Sequence, residues 1–237
     1  MRPDVLPTTG MKQRLEDIHQ RIDAAADEVG RDPSDVHLVA VTKTISAERI
    51  QTAIESGVDT IGENYVQEAR DKFSTLGTTS VSWHFIGHLQ RNKVKYVVRM
   101  FDLIHSVDSK RLADEINKQA KKVGKVQSIL IQVNLAGEKS KSGVAPQEAK
   151  DLVHHIITLP HLSLQGLMTM PPFFNAPKKV RPYFKQLRHL RDQLKDSYIE
   201  HASLHELSMG MTGDFETAIA EGATMVRVGT ALFGARQ

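Results

Sequence analysis

The sequence contains no cysteine. Disulfides, thiolate nucleophiles and cysteine-ligated metals are therefore excluded. No stretch approaches ~18 consecutive apolar residues, so no membrane-spanning helix is expected. The N-terminus, Met-Arg-Pro-Asp-Val-Leu-Pro, lacks the apolar core of a secretion signal. A cytoplasmic protein with no membrane partner is the expectation. Charge of one sign is also scarce: Lys and Arg total 31 against 28 Asp and Glu, for a formal net charge of +3. The densest basic clusters, Lys118 to Lys122 and Lys178 to Arg181, have no interleaved aromatics. Nucleic-acid binding is not expected from such a surface. Several catalytic signatures are missing as well. The eleven histidines show no His-Glu-x-x-His spacing, and no dinucleotide-binding glycine fingerprint, Walker A loop or Gly-x-Ser-x-Gly elbow occurs.

What is present is regular alternation. The chain has 237 residues, 40% of them hydrophobic, enough for a substantial core. Residues 1–10, with Pro3, Pro7 and Gly10, read as a flexible lead to a single domain over 11–237. Leu15, Ile18, Ile22, Ala25, Ala26 and Val29 fall at helical spacing and predict a helix over 11–29, stopped by Gly30. Short segments, most of them apolar, then predict strands at 36–42, 60–63, 83–87, 103–107, 128–134, 164–169, 206–208 and 225–229. Helices are predicted between them at 46–56, 66–76, 92–100, 109–123, 146–158, 180–197 and 214–221.

Eight strands alternating with helices point to an α/β protein, a (β/α)8 TIM-like barrel with an additional N-terminal helix. Almost no chain follows the last strand, so the eighth outer helix is missing or very short. The helix at 11–29 fills its place on the outside. An open doubly wound sheet is the alternative.

A barrel places its chemistry at the C-terminal ends of the strands. Lys43 follows an almost wholly apolar strand. A lysine there either snorkels to solvent or, desolvated, offers a free amine to an aldehyde. The ends of strands seven and eight carry Ser208, Gly229 and Thr230, hydroxyls and a glycine suited to a phosphate. Arg227 lies within the last strand and needs a partner: either a carboxylate such as Glu63 or the ring nitrogen of a cofactor. His84 reads as a core histidine or a proton shuttle, and His88 as a residue of the mouth. The loop containing Lys139 and Lys141 is either solvated or a second anion contact.

Several segments match a known pattern together. They are Ala40 to Lys43, Gly62 to Tyr65, Trp83 to Gln90, Lys141 to Gly143, Gly166 to Met168, Ser208 to Met211 and Val226 to Gly234. From about residue 11 to 235 the chain resembles the pyridoxal 5′-phosphate (PLP) homeostasis proteins, the YggS/PROSC group. These are similar to the barrel domain of alanine racemase. The resemblance implies a fold-type III PLP-binding barrel with Lys43 holding PLP as an internal aldimine. It implies that Ser208, Gly229 and Thr230 hold the phosphate and that Arg227 faces the pyridine nitrogen. Asn64 and His84 would line the pocket, with Met209 near the ring. Thr212 departs from the family's usual serine but keeps the hydroxyl.

The resemblance further implies a monomeric carrier without strong catalytic activity that supplies PLP to apo-enzymes. Alanine racemase has a second, β-rich domain and a partner subunit's tyrosine base. No second domain is expected here, because little chain follows Gly234. Racemisation needs a placed group on each face of the substrate, and Lys43 supplies one. The alternatives are a racemase-like PLP enzyme and a phosphate-binding barrel without PLP.

Overall fold

The computed structural model describes residues 8–77, 81–138, 141–172, 176, 179–198 and 202–234. Its strands are β1 (His37–Val41), β2 (Thr60–Glu63), β3 (Ser82–Phe85), β4 (Leu103–Val107), β5 (Gln127–Gln132), β6 (Leu162–Met168), β7 (Glu206–Met211) and β8 (Met225–Val228). The helices are α1 (Thr8–Asp27), α2 (Ala47–Glu55), α3 (Val66–Leu76), α4 (Val94–Met100), α5 (Lys110–Lys122), α6 (Pro146–Ile156), α7 (Arg181–Tyr198), α8 (Phe215–Ala220) and α9 (Thr230–Phe233). Each strand pairs in parallel with the next, and β8 pairs with β1. That last pairing sets His37 opposite Met225 and Ala40 opposite Val228. It closes the barrel and excludes the open sheet.

Strands enclosed on both faces are apolar along their whole length rather than alternately. β4 shows this, with all five residues buried. One large core lies between strands and helices. A smaller cluster of Val39, Leu103, Leu130, Met168 and Met225 fills the barrel itself. Nearer the mouth the interior turns polar, with His84, His105, Ser208 and Arg227 all buried.

Two boundaries differ from the sequence reading by three residues. β7 runs on to Met211. Gly210 there has φ +92°, and the β7–β8 register shifts between Ser208 and Met211. A bulge of this kind breaks the pattern by which a strand is recognised. α1 begins at Thr8, so residues 8–10 are helical and not part of a lead; residues 1–7 lie outside the described residues. The helix predicted from residue 92 opens as a 3-10 turn at Arg91–Lys93.

The eighth outer helix is α9, only four residues long. α1 takes the missing place, packing against α8, α9 and α2. Met11, Leu15, Ile18, Ile22 and Ala26 face inward and are buried. Arg14 Nε donates to the Leu232 carbonyl at 2.7 Å, and Arg49 of α2 donates to the carbonyl of Phe233. These two guanidinium groups satisfy carbonyls at the end of α9 that the short helix leaves open. Among the described residues no helix is long and apolar enough to cross a membrane.

If α1 is a structural wall of the barrel, Ile22→Ala should lower the unfolding free energy by about 2–5 kcal/mol, the cost of a buried cavity. Urea denaturation measures this. A change near zero would make α1 an ornament of the fold.

Candidate functional site

A cavity of about 300 Å³ opens at the C-terminal mouth of the barrel. Lys43 and Val41 enter from the end of β1, Asn64 from the end of β2 and Ile86 from the end of β3. Met170 follows β6, and the turn Thr212-Gly213-Asp214 follows β7. Arg227, Gly229 and Thr230 complete the wall from β8 and the start of α9. Of the expected site residues, the structure thus brings Lys43, Asn64, Arg227, Gly229 and Thr230 together around one space.

Lys43 is positioned by a buried knot beneath it. Lys72 on α3 donates to the Thr42 carbonyl and to Glu63 Oε1, both at 2.7 Å. The Thr42 hydroxyl donates to the same carboxylate oxygen at 2.6 Å. On the other side of Lys43, the amide of Thr44 donates to Glu68 Oε1 at 2.8 Å, and Thr44 has φ +64°. Both chain neighbours of Lys43 are therefore tied down. Glu63 is wholly buried and Lys72 nearly so. Burial pushes the Glu63 carboxyl up, and the Lys72 ammonium and the Thr42 hydroxyl hold it back. Glu63 is thus the partner of Lys72 and not of Arg227. Lys72 escaped the sequence reading because a lysine on a surface helix carries no local sign of burial.

Asn64 depends on Gly87. A Cβ at position 87 would stand 2.1 Å from the Asn64 carbonyl oxygen, so only glycine lets the two backbones approach this closely. Asn64 Oδ1 is buried and has no hydrogen-bond partner among the described residues.

Arg227 forms the floor. Its Nη1 donates to Ser208 Oγ at 2.6 Å and its Nη2 to the Thr169 carbonyl at 2.9 Å. Burial lowers its pKa to about 10, with Asp214 opposing the shift. It therefore remains a cation at neutral pH. Asp214 accepts from the Met211 amide at 2.6 Å, and burial raises its pKa against Arg227 and that hydrogen bond.

Three expected site residues lie off the cavity wall. Ser208 is wholly buried, and its hydroxyl is taken up by Arg227 and His105. The hydroxyl that does reach the cavity from this segment belongs to Thr212, beyond the bulge. Met209 points to the opposite face of β7 and is buried in the large core. His84 is inside the barrel, with Nδ1 3.0 Å from His105 Nε2. Its pKa is lowered to about 4, chiefly by burial. His88 lies in a separate depression, 2.9 Å from Ser142 Oγ. Lys141 pairs with Glu138 at 3.1 Å, and Lys139 lies outside the described residues. No group of three or more His, Asp or Glu among the described residues is placed to hold a metal ion.

A closed barrel with a lysine after β1 and a buried arginine on β8 defines a protein of the alanine racemase barrel class. The family model for "Alanine racemase, N-terminal domain" matches residues 14–237. The chain is 47% identical over 225 residues to the pyridoxal phosphate homeostasis protein of Aquifex aeolicus, covering 95% of this chain and 98% of that relative. It belongs to the pyridoxal phosphate homeostasis protein family. Among solved structures, PipY of Synechococcus elongatus with PLP bound is 34% identical, with a TM-score of 0.85 over 94% of this chain and 100% of that one. An alanine racemase of Clostridium difficile shares the fold at 16% identity and a TM-score of 0.72, covering 95% of this chain and 56% of that one.

Removing one member of a buried ion pair strands the other. Lys72→Met should therefore cost about 3–5 kcal/mol of stability, and adding Glu63→Gln should recover much of it. Equal stability of the single and double variants in urea would count against an ionised pair. The depressed pKa of His84 has a second consequence. Between its unfolded value of 6.5 and about 4, the unfolded chain binds the proton and the folded one does not. Stability from this group is complete above that window and falls as pH drops through it, by up to roughly 3 kcal/mol. A His84→Gln variant should show a shallower loss of urea midpoint between pH 7 and 4 than the parent; parallel curves would refute it.

Proposed function

We propose that this protein holds PLP in the mouth cavity, linked reversibly to Lys43, and buffers and supplies the cofactor in the cytoplasm as a monomeric carrier. The observation that carries the proposal is the placement of one primary amine and one permanent cation, Lys43 and Arg227, on the wall of the same cavity. The family's name and the PLP-bound relative PipY support the same ligand.

The residues present fit PLP. Asn64 brings a buried oxygen with no hydrogen-bond partner among the described residues, suited to the donor of a polar ligand. Gly213 lines the cavity with open space where a side chain would stand, so its backbone is approachable. Thr212 and Thr230 bring hydroxyls. The Leu232 and Phe233 amides bond the Gly229 carbonyl, leaving the first-turn amides of Thr230 and Ala231 without a helical acceptor. These groups would hold the phosphate. Arg227 would face the ring nitrogen: Ser208 and Thr169 take two of its five N–H groups. A guanidinium that keeps its proton holds the nitrogen opposite it unprotonated.

PLP supplies an aldehyde that condenses reversibly with primary amines, which suits both storage and hand-over to apo-enzymes. The chain's own residues favour holding over turnover. Among the described residues, Lys43, Asp214 and Arg227 are the ionisable groups lining the cavity. Arg227 does not deprotonate at neutral pH, and the Asp214 carboxylate is engaged by the Met211 amide. Among the described residues, the cavity lining includes no histidine or tyrosine to exchange a second proton, as two-face catalysis requires.

Borohydride reduction of the loaded protein should fix the cofactor's mass on the Lys43 peptide, and Lys43→Ala should abolish this while retaining weaker binding. Thr230→Ala should weaken binding by roughly tenfold or more, for loss of a hydrogen bond to a charged group. Modification at another lysine would move the site. Interconversion of amino-acid enantiomers at ~1 s⁻¹ or faster would replace the carrier reading with an enzymatic one.

A further inference from the structure

His105 does not line the cavity, yet it stands at the centre of a chain that ends there. It is wholly buried on β4. Its Nδ1 lies 2.9 Å from Ser208 Oγ and its Nε2 lies 3.0 Å from His84 Nδ1. Arg227 Nη1 contacts the same Ser208 oxygen at 2.6 Å. Four side chains from β3, β4, β7 and β8 thus join in line across the barrel beneath the cavity.

Arg227 sets the direction of this chain. A guanidinium has donors and no acceptor, so Ser208 Oγ must accept from it. The Ser208 hydroxyl proton then needs an acceptor, and His105 Nδ1 is the other polar atom in contact with that oxygen. The opposite tautomer, with the proton on His105 Nδ1, would make Ser208 accept twice and bury its own proton without a partner. With Nδ1 accepting, a neutral His105 carries its proton on Nε2 and donates to His84 Nδ1.

We infer that His105 is a positioning residue for Arg227, acting through the Ser208 hydroxyl as a neutral Nε2–H tautomer in a one-way chain from Arg227 to His84. The charges around the chain agree. Burial is the main force holding His105 neutral, and the charges of His84 and then Arg227 on β8 add to the cost of protonating it. Asp102 and Asp59 favour a charged His84 and His37 opposes it, but burial outweighs them. Asp214 acts on Arg227 at the far end. A second positive charge on His105 would share one buried chain with the guanidinium. With Ser208 committed to His105, its lone pair and the Thr169 carbonyl together fix the plane of Arg227, leaving its remaining donors for the cavity.

The consequence for ligand binding rests on the proposed function; the tautomer does not. Nitrogen-15 spectra of the histidine rings in ligand-free protein test the chain directly, with His105 assigned by its loss in His105→Gln. The expected result is a bare Nδ1, a protonated Nε2 and no titration from pH 5.5 to 8. In Ser208→Ala, the His105 signals should shift toward a mixture of tautomers. A protonated Nδ1, titration in this range or spectra indifferent to Ser208→Ala would overturn the inference. In PLP titrations, His105→Leu should bind about five- to tenfold more weakly, the effect of one lost neutral hydrogen bond. His105→Gln, which keeps an acceptor, should recover most of that loss. Equal affinity of the parent and both variants would remove the positioning role, and the spectra of the parent decide the tautomer even if His105→Leu does not fold. A parent protein that fails to bind PLP would instead sink the proposed function.

Discussion

The pairing of β1 with β8 is the constraint on which the rest of the molecule depends. Lys43 follows the first strand and Arg227 lies in the last, so their chain segments meet only because the sheet closes on itself. Closure also removes both sheet edges, leaving no unpaired row of strand backbone to protect. The outer layer is adapted to the same closure. The eighth helix is too short to cover the seam between α8 and α2, and α1 fills the gap, tied to α9 through Arg14 as α2 is through Arg49.

Around that seam the protein buries charge in two different ways. Beneath Lys43, the Lys72 ammonium meets the Glu63 carboxylate, and the pair also holds the Thr42 hydroxyl and carbonyl. The charges compensate locally, so the effect is to shape the backbone that presents Lys43. At the floor, Arg227 is held mainly by neutral acceptors, the Ser208 hydroxyl and the Thr169 carbonyl. Burial lowers its pKa against the opposing charge of Asp214, and the guanidinium gives the cavity a positive base. A cavity of this kind favours an anionic ligand with an acceptor directed at the guanidinium. The neutral histidine chain behind it adds orientation without adding charge.

Much of this architecture was legible in advance. Strands buried on both faces announce themselves as apolar runs, as at residues 36–42 and 225–229, whereas the short second and seventh strands fit only as members of the alternation. Lys43, Gly229 and Thr230 stood out as polar or small residues at the ends of apolar strands and Asn64 through the family resemblance, and all four line the cavity. The end of β7 resisted the same logic. Successive strand residues face opposite sides, so the Gly210 bulge decides which of Ser208, Met209 and Thr212 reaches the mouth. Ser208 sits too deep, Met209 faces the large core on the other side of β7, and Thr212 takes the cavity position. Asp214, three residues beyond Met211 and bonded to its amide, was the local sign that the chain turns there.

By itself, then, the order of residues determined the alternation of strands and helices, the polar strand ends and the placement of a lysine after an apolar strand. Those are local properties, set by hydrophobic periodicity and by the backbone preferences of single residues. Only the tertiary structure decided that Glu63 belongs to Lys72, that Ser208 serves Arg227, and that two histidines stand in line beneath the cavity. These partners come from different strands and helices. A buried polar group must be satisfied by whatever acceptor or donor the closed barrel brings within hydrogen-bond distance, and sequence separation carries no record of that distance.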